Sequence, residues 1–225
     1  MKFQLILLAF CATLTLATDP IPAPFPKVWS ANFTEYLYSK ETGHRTTKGV
    51  WYYNFELNKF RVNRENGAAD EICGPLTNYK NASCHDIITD GKRYIYFPEI
   101  KSCCYCCSDA DGCGMEKPTW FNTGKYLGKR YDSGYLVDVW DIQAIQANYL
   151  SQIAEGKYKG QTLRIFQVPT SNMVYDLSTL SRQVDSKVFD MPVGVNCQKG
   201  CPPPSMCAGF RASSSLKEAK ETADE

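Results

Sequence analysis

Histidine is scarce in this chain of 225 residues: only His44 and His85 are present. Any histidine-based triad would have to use one of them, and neither sits in a recognisable motif. The sequence also lacks a Gly-x-Ser-x-Gly elbow, a His-Glu-x-x-His pair, a phosphate loop and a dinucleotide fingerprint. The hydrolase, metalloprotease and nucleotide chemistries that need those spacings are therefore disfavoured, and the chain is expected not to be an enzyme. An excess of either charge is missing too. With 25 Lys and Arg against 24 Asp and Glu, and no basic patch to neutralise phosphates, a nucleic-acid partner is not expected. No run is long enough to cross a bilayer as a helix: Phe3–Leu16 is apolar but too short, and nothing later matches it.

What the start does carry is a leader. Met1–Lys2 gives a short positive start, Phe3–Leu16 the apolar stretch, and Thr15 and Ala17 the small residues of a cleavage site. Met1–Ala17 is thus expected to be a signal peptide, and the mature chain to be extracellular or in the secretory pathway. Its removal takes Cys11 and Lys2, leaving ten cysteines and a formal charge of zero. An even set in an oxidising compartment reads as disulfides between Cys73, Cys84, Cys103, Cys104, Cys106, Cys107, Cys113, Cys197, Cys201 and Cys207. Ten cysteines allow roughly nine hundred full pairings, and spacing selects none of them. Asn32-Phe-Thr34 and Asn81-Ala-Ser83 are glycosylation sequons, which suits the same route.

The mature remainder is expected to hold an extended proline-rich lead at residues 18–27, one disulfide-rich β domain over 28–207, and a polar disordered tail, Ala208–Glu225. Asp19–Pro26 has four prolines in eight residues and should run along the surface. Strands are predicted at Val28–Ser39 and as a hairpin across Gly49–Asn66. In that hairpin Trp51, Tyr53 and Phe55, then Phe60 and Val62, alternate with polar residues and form an inner face. Gly67–Cys84 reads as a loop stapled by Cys73 and Cys84. Asp90-Gly91 is a type I′ signal between strands in Asp86–Phe97. Tyr135–Ile142, a hairpin of Ala147–Glu155 with Gln161–Pro169, a helix over Ser171–Val184 and a short strand at Val188–Pro192 complete the reading. The class is mainly β, with curved antiparallel sheets forming a half-barrel or sandwich around an apolar pocket.

Lys101–Trp120 concentrates five cysteines. Strict alternation would put Cys103 and Cys107 on one face and Cys104 and Cys106 on the other, a hub tied to layers on both sides. The two Cys-x-x-Cys spacings here would suit zinc in a reducing compartment, but the leader favours disulfides and no metal is assigned. Ser108–Gly112 has the opening of a calcium loop without its later oxygens or closing Glu, and a polar turn accounts for the same residues.

Fourteen Tyr, eleven Phe and four Trp are a heavy aromatic load. A curled sheet with so large an apolar concave face needs cover, and a lipid-like ligand can supply it. Alternation nominates Trp51, Tyr53, Phe55, Phe60, Val62, Tyr94, Tyr96 and Trp140 as the lining. The order of aromatic hairpin, Asp-Gly hairpin ending in cysteine, Trp120, later hairpins and the closing Phe189, Pro192 and Cys197 resembles the ependymin-related secreted glycoproteins. Those share a curved antiparallel fold with lipoprotein carriers of the LolA-like kind. The resemblance implies two stacked sheets around a deep pocket for a lipid or other hydrophobic small molecule. It further implies homodimerisation and calcium association. The Cys103–Cys107 cluster and the Cys201–Cys207 knot depart from that pattern. Three functions stand at this point: a disulfide-stabilised carrier, an adhesion or matrix glycoprotein with filled sheets, and a hydrolase built on a carboxylate pair.

Overall fold

In the computed structural model of the protein, residues 19–39, 43–143 and 147–211 are described. The leader and most of the tail lie outside them, although residues 208–211, expected in the tail, complete a helical turn begun at 206. Eleven strands form one curved, unclosed antiparallel sheet in the order β6-β5-β4-β3-β2-β1-β11-β10-β9-β8-β7. They are β1 (Val28–Ser39), β2 (Gly43–Asn54), β3 (Lys59–Arg64), β4 (Cys84–Thr89), β5 (Lys92–Phe97), β6 (Ser102–Ser108), β7 (Lys125–Asp132), β8 (Tyr135–Gln143), β9 (Ala147–Ile153), β10 (Thr162–Gln167) and β11 (Ser171–Ser181). The mainly β class expected above is what forms. It is one continuous sheet, however, not the stacked pair that the resemblance implied.

Most strands follow hairpin logic. Asp90 and Gly91 take φ of 52° and 69°, the left-handed pair that a type I′ turn requires. β1 pairs with both β2 and β11, closing the ends of the chain onto a central strand. The core lies on the concave side, where Trp29, Ala31, Phe33, Tyr53, Phe60, Val62, Tyr175 and Leu177 are buried. Gly49 is needed there: a Cβ would stand 2.6 Å from the Phe33 ring and 2.1 Å from the Asn63 carbonyl.

Four expectations need correction. Ser171–Val184 is strand β11 and not a helix, because Ser171, Met173, Tyr175 and Leu177 alternate inward. Around Val188 the chain forms a 3-10 turn, Ser186–Phe189, in place of a strand. It packs behind β3 and β4, with Arg61 Nη1 donating to the Val188 carbonyl at 2.8 Å. The proline-rich lead is extended but enters the concavity. Gln152 exchanges two hydrogen bonds with Ala23 at 2.8 and 2.7 Å, the Phe25 amide donates to the Pro118 carbonyl at 2.8 Å, and Phe25 is buried.

The fourth correction concerns the hub. Strand alternation fails in β6 because a bulge inserts Cys106 between Tyr105, opposite Tyr94, and Cys107, opposite Arg93. Cys103 therefore shares a side with Tyr94 and Tyr96, while Cys104 and Cys107 share the other with Arg93 and Ile95. The pairs are Cys73–Cys84, Cys103–Cys197, Cys104–Cys201, Cys106–Cys207 and Cys107–Cys113. Three of the five bind the C-terminal segment along β6. That segment also hydrogen-bonds to the edge strand: the Tyr105 amide donates to the Lys199 carbonyl and the Cys201 amide to that of Tyr105, both at 2.8 Å. Arg211 completes the seal, donating to the carbonyls of Tyr105, Cys106 and Cys201. With Ile95, Phe97, Ile72 and Phe210 the cysteines other than Cys103 and Cys197 make a second buried cluster.

Candidate ligand cavity

Curvature leaves a hollow of about 440 Å³ over β1–β5, β10 and β11. Its apolar wall comes from Trp51, Phe60 and Val62 on the aromatic hairpin, Ile165 and Met173 on β10 and β11, Trp120 from the loop after the hub, and Ile72. Met206 and Phe210 reach it from the helical turn that the Cys106–Cys207 bond pins down. Of these, Met206 stands 42% exposed at the rim.

The polar wall is built by the same alternation. Beyond Phe60 and Val62 the next inward position of β3 is Arg64, and beyond Ala31 and Phe33 the next on β1 is Glu35. Arg64 Nε donates to Glu35 Oε2 at 2.6 Å, its Nη2 lies 3.0 Å from Asp70 Oδ2, and all three residues are buried. Ser171 Oγ donates to the other Glu35 oxygen at 2.7 Å. Burial pushes the Glu35 pKa up, and Asp70 adds to it, against the opposing pull of Arg64. Burial works against the Arg64 charge, but Asp70 and Glu35 outweigh it and raise its pKa. Next along the row, Arg93 Nε lies 3.3 Å from Asp86 Oδ1, yet neither atom makes a hydrogen bond. Burial also raises the Asp86 pKa, against Arg93 and Arg64.

The nominated lining divides. Trp51, Phe60 and Val62 face the cavity. Tyr53 is buried behind it, its hydroxyl donating to the Glu116 carbonyl at 2.8 Å, and Phe55 stacks on Tyr53. Trp140 sits farther along the sheet under the N-terminal segment, donating from Nε1 to the Pro20 carbonyl at 3.1 Å. Tyr94 and Tyr96 point to the other face. The register Ile88 to Arg93 and Asp86 to Ile95 makes Arg93, Ile95 and Phe97 the inward row of β5. Tyr94 packs on Tyr105 and Tyr96 on His85. His85 itself meets Arg61 at 2.8 Å on that outer face, and His44 lies edge-on to Tyr38. The charged residues Glu35, Arg64, Asp70, Asp86 and Arg93 escaped the sequence reading, although the parity of Phe60 and Val62 extended to Arg64 would have found one.

The remaining nominated positions fall elsewhere. Ser108–Gly112 is a capped turn in which Asp111 accepts from the Ser108 amide and hydroxyl at 2.7 and 2.8 Å. The sulfurs of Cys106, Cys107 and Cys113 lie within 4.8 Å of one another, but each is spent in a disulfide. Asn32 is exposed on the outer side of β1, and Asn81 lies in the stapled loop before β4.

No protein-family model matches the sequence, and no curated protein is similar to it. Solved structures similar in outline include an uncharacterized conserved protein from Thermus thermophilus, at 10% identity and a TM-score of 0.49 over 77% of this chain and 91% of that one. A LolA superfamily protein from Nitrosomonas europaea matches at 8% identity and 0.38, over 75% and 93%. A putative outer membrane lipoprotein-sorting protein domain from Vibrio parahaemolyticus matches at 9% and 0.36, over 72% and 89%.

Proposed function

We propose that this protein is a secreted, disulfide-stabilised binding protein for a lipid or other hydrophobic small molecule, with no chemistry of its own. The observation that carries the reading is the 440 Å³ hollow walled by Trp51, Phe60, Trp120, Ile165, Met173 and Phe210. Small-molecule sites typically occupy about 300 to 1,000 Å³ and are mostly apolar with a few polar groups, as here. Burying an acyl chain contributes about 0.8 kcal/mol per methylene, enough for useful affinity without covalent chemistry. A sheet whose concave face was wholly filled would have supported the adhesion reading instead. Five disulfides suit an oxidising compartment. Membership of the ependymin-related glycoproteins, with their dimers and calcium, belongs to the same proposal.

The test is direct. Native mass spectrometry of protein secreted from cultured cells should show a bound lipid that organic extraction removes. The stripped protein should then bind the neutral dye Nile red, and Ile165→Trp, which fills the hollow, should weaken that binding at least tenfold. Secreted protein that carries no lipid and ignores the dye would refute the proposal.

A further inference from the structure

We propose that Cys106, Cys107 and Cys113 form a thiol–disulfide relay that gates the hollow. Reduction of Cys107–Cys113 by a dithiol is passed to Cys106–Cys207, which frees the turn carrying Met206 and Phe210 from the wall. The gating rests on the binding reading above; the exchange itself does not. Neighbouring side chains of a regular strand point to opposite faces, which keeps the sulfurs of adjacent cysteines apart. In β6 the bulge breaks that rule, and the sulfurs of Cys106 and Cys107 lie 3.5 Å apart although each is bonded elsewhere. A disulfide bond is about 2.05 Å long, so closing a Cys106–Cys107 bond needs a movement of only about 1.5 Å. Together with Cys113 the three sulfurs fall within 4.8 Å of one another. Two separate disulfides therefore stand within exchange distance.

The chemistry balances in two steps. One thiol of the reductant attacks the Cys113 sulfur, and Cys107 leaves as a thiolate. The second thiol closes the reductant into a cyclic disulfide and releases Cys113 as a thiol. The Cys107 thiolate then attacks the Cys106 sulfur: the Cys106–Cys107 bond forms, Cys106–Cys207 breaks, and Cys207 leaves as a thiolate that takes up a proton. Entry at Cys107–Cys113 follows from its place in the fold. That bond spans 6 residues, and Asp109, Ala110 and Gly112 of its turn are exposed, so a small local opening presents Cys113. Cys106 and Cys207 are wholly buried, and Cys107 is the route to their bond. Once Cys207 is free, the nearest disulfide holding the segment is Cys104–Cys201. Residues 202–211 then keep only noncovalent ties, among them the Arg211 hydrogen bonds, and Met206 and Phe210 of the hollow's wall lie in that stretch.

Cys113→Ser tests the relay without any reductant, because it leaves Cys107 without its partner. The secreted variant is unfolded in mildly acidic guanidinium with N-ethylmaleimide, and its unreduced peptides are mapped by mass spectrometry. The relay expects label on Cys207 and a Cys106–Cys107 disulfide; label on Cys107 alone, with Cys106–Cys207 intact, overturns it. Should Cys113→Ser not be secreted, the wild type under graded dithiothreitol decides. Label on Cys113 and Cys207 together supports the relay, and label on Cys107 and Cys113 together overturns it. The gate is read with Nile red on the same samples. Wild type should lose dye in step with labelling of Cys207, while Cys107→Ser/Cys113→Ser, which has no relay thiol, should need at least tenfold more dithiothreitol. Release of Cys207 without loss of dye overturns the gate. Absence of dye binding before any reduction overturns the binding reading and the gate, and leaves the relay to the peptide map.

Discussion

At Arg64 one guanidinium satisfies two buried carboxylates, so its loss would strand both. Arg64→Leu is expected to cost about 3–5 kcal/mol, read as a fall in the urea midpoint, because Glu35 and Asp70 would remain buried without a counter-charge. A smaller group is as constrained: Gly49→Ala drives a methyl into the Phe33 ring and the Asn63 carbonyl, and should cost about 3 kcal/mol. His85 gives a pH signature. Burial, with Arg61 beside it, lowers its pKa from 6.5 to about 4. The unfolded chain then takes up a proton between those values that the folded chain refuses, so His85 lowers stability as pH falls from about 6.5 to about 4. His85→Gln should flatten that part of the stability–pH curve, measured by urea midpoints at pH 7 and pH 5. At this scale the sequence was partly legible. Residue type nominated Trp51 and Phe60, which stand on the hollow's wall, together with Tyr94 and Tyr96, which do not, and only the pairing across Asp90-Gly91 decides which side of β5 the tyrosines occupy.

Among the elements, β6 and the segment sewn to it show what disulfides do when they run in parallel. Cys103–Cys197, Cys104–Cys201 and Cys106–Cys207 span 94, 97 and 101 residues, closing nearly the same loop. The first bond to form removes most of the unfolded chain's freedom, and each later one closes only a few further residues. Replacing the Cys104–Cys201 pair with alanines should therefore cost about 1 kcal/mol, against about 4–5 kcal/mol for losing all three pairs, with thermal unfolding as the readout. Elements were legible wherever two signals agreed, as at the Asp-Gly turn. They were not where periods overlap: Met173 and Leu177 are four apart, a spacing common to a helix face and to alternate strand positions, so β11 looked helical. The β6 bulge had no sequence signal short of the register itself.

The whole molecule is a sheet with two different ends. At the β6 end the C-terminal segment covers the backbone edge. At the β7 end, Lys125, Lys129 and Arg130 stand exposed on a strand kinked at Gly128, which has φ of 102°. Charge and kink there discourage another strand from adding on. Deleting residues 197–211 should thus release association through β6, seen as larger species in size-exclusion chromatography, while the β7 end stays inert. The curvature that makes the hollow was foreseeable from strand rhythm and aromatic load. Its charged wall was not, since nothing in a linear reading says which carboxylates share an interior.

The seam between β6 and the C-terminal segment also sets a schedule. A ribosome adding about 5–20 residues per second delivers Cys103 to Cys107 some 5–20 seconds before their partners Cys197 to Cys207. During that interval the clustered thiols have mainly each other to bond with. Nascent molecules must therefore be kept reduced or repaired by an isomerase, and yield from a cell should track that enzyme's supply more closely than the inherent firmness of the finished fold.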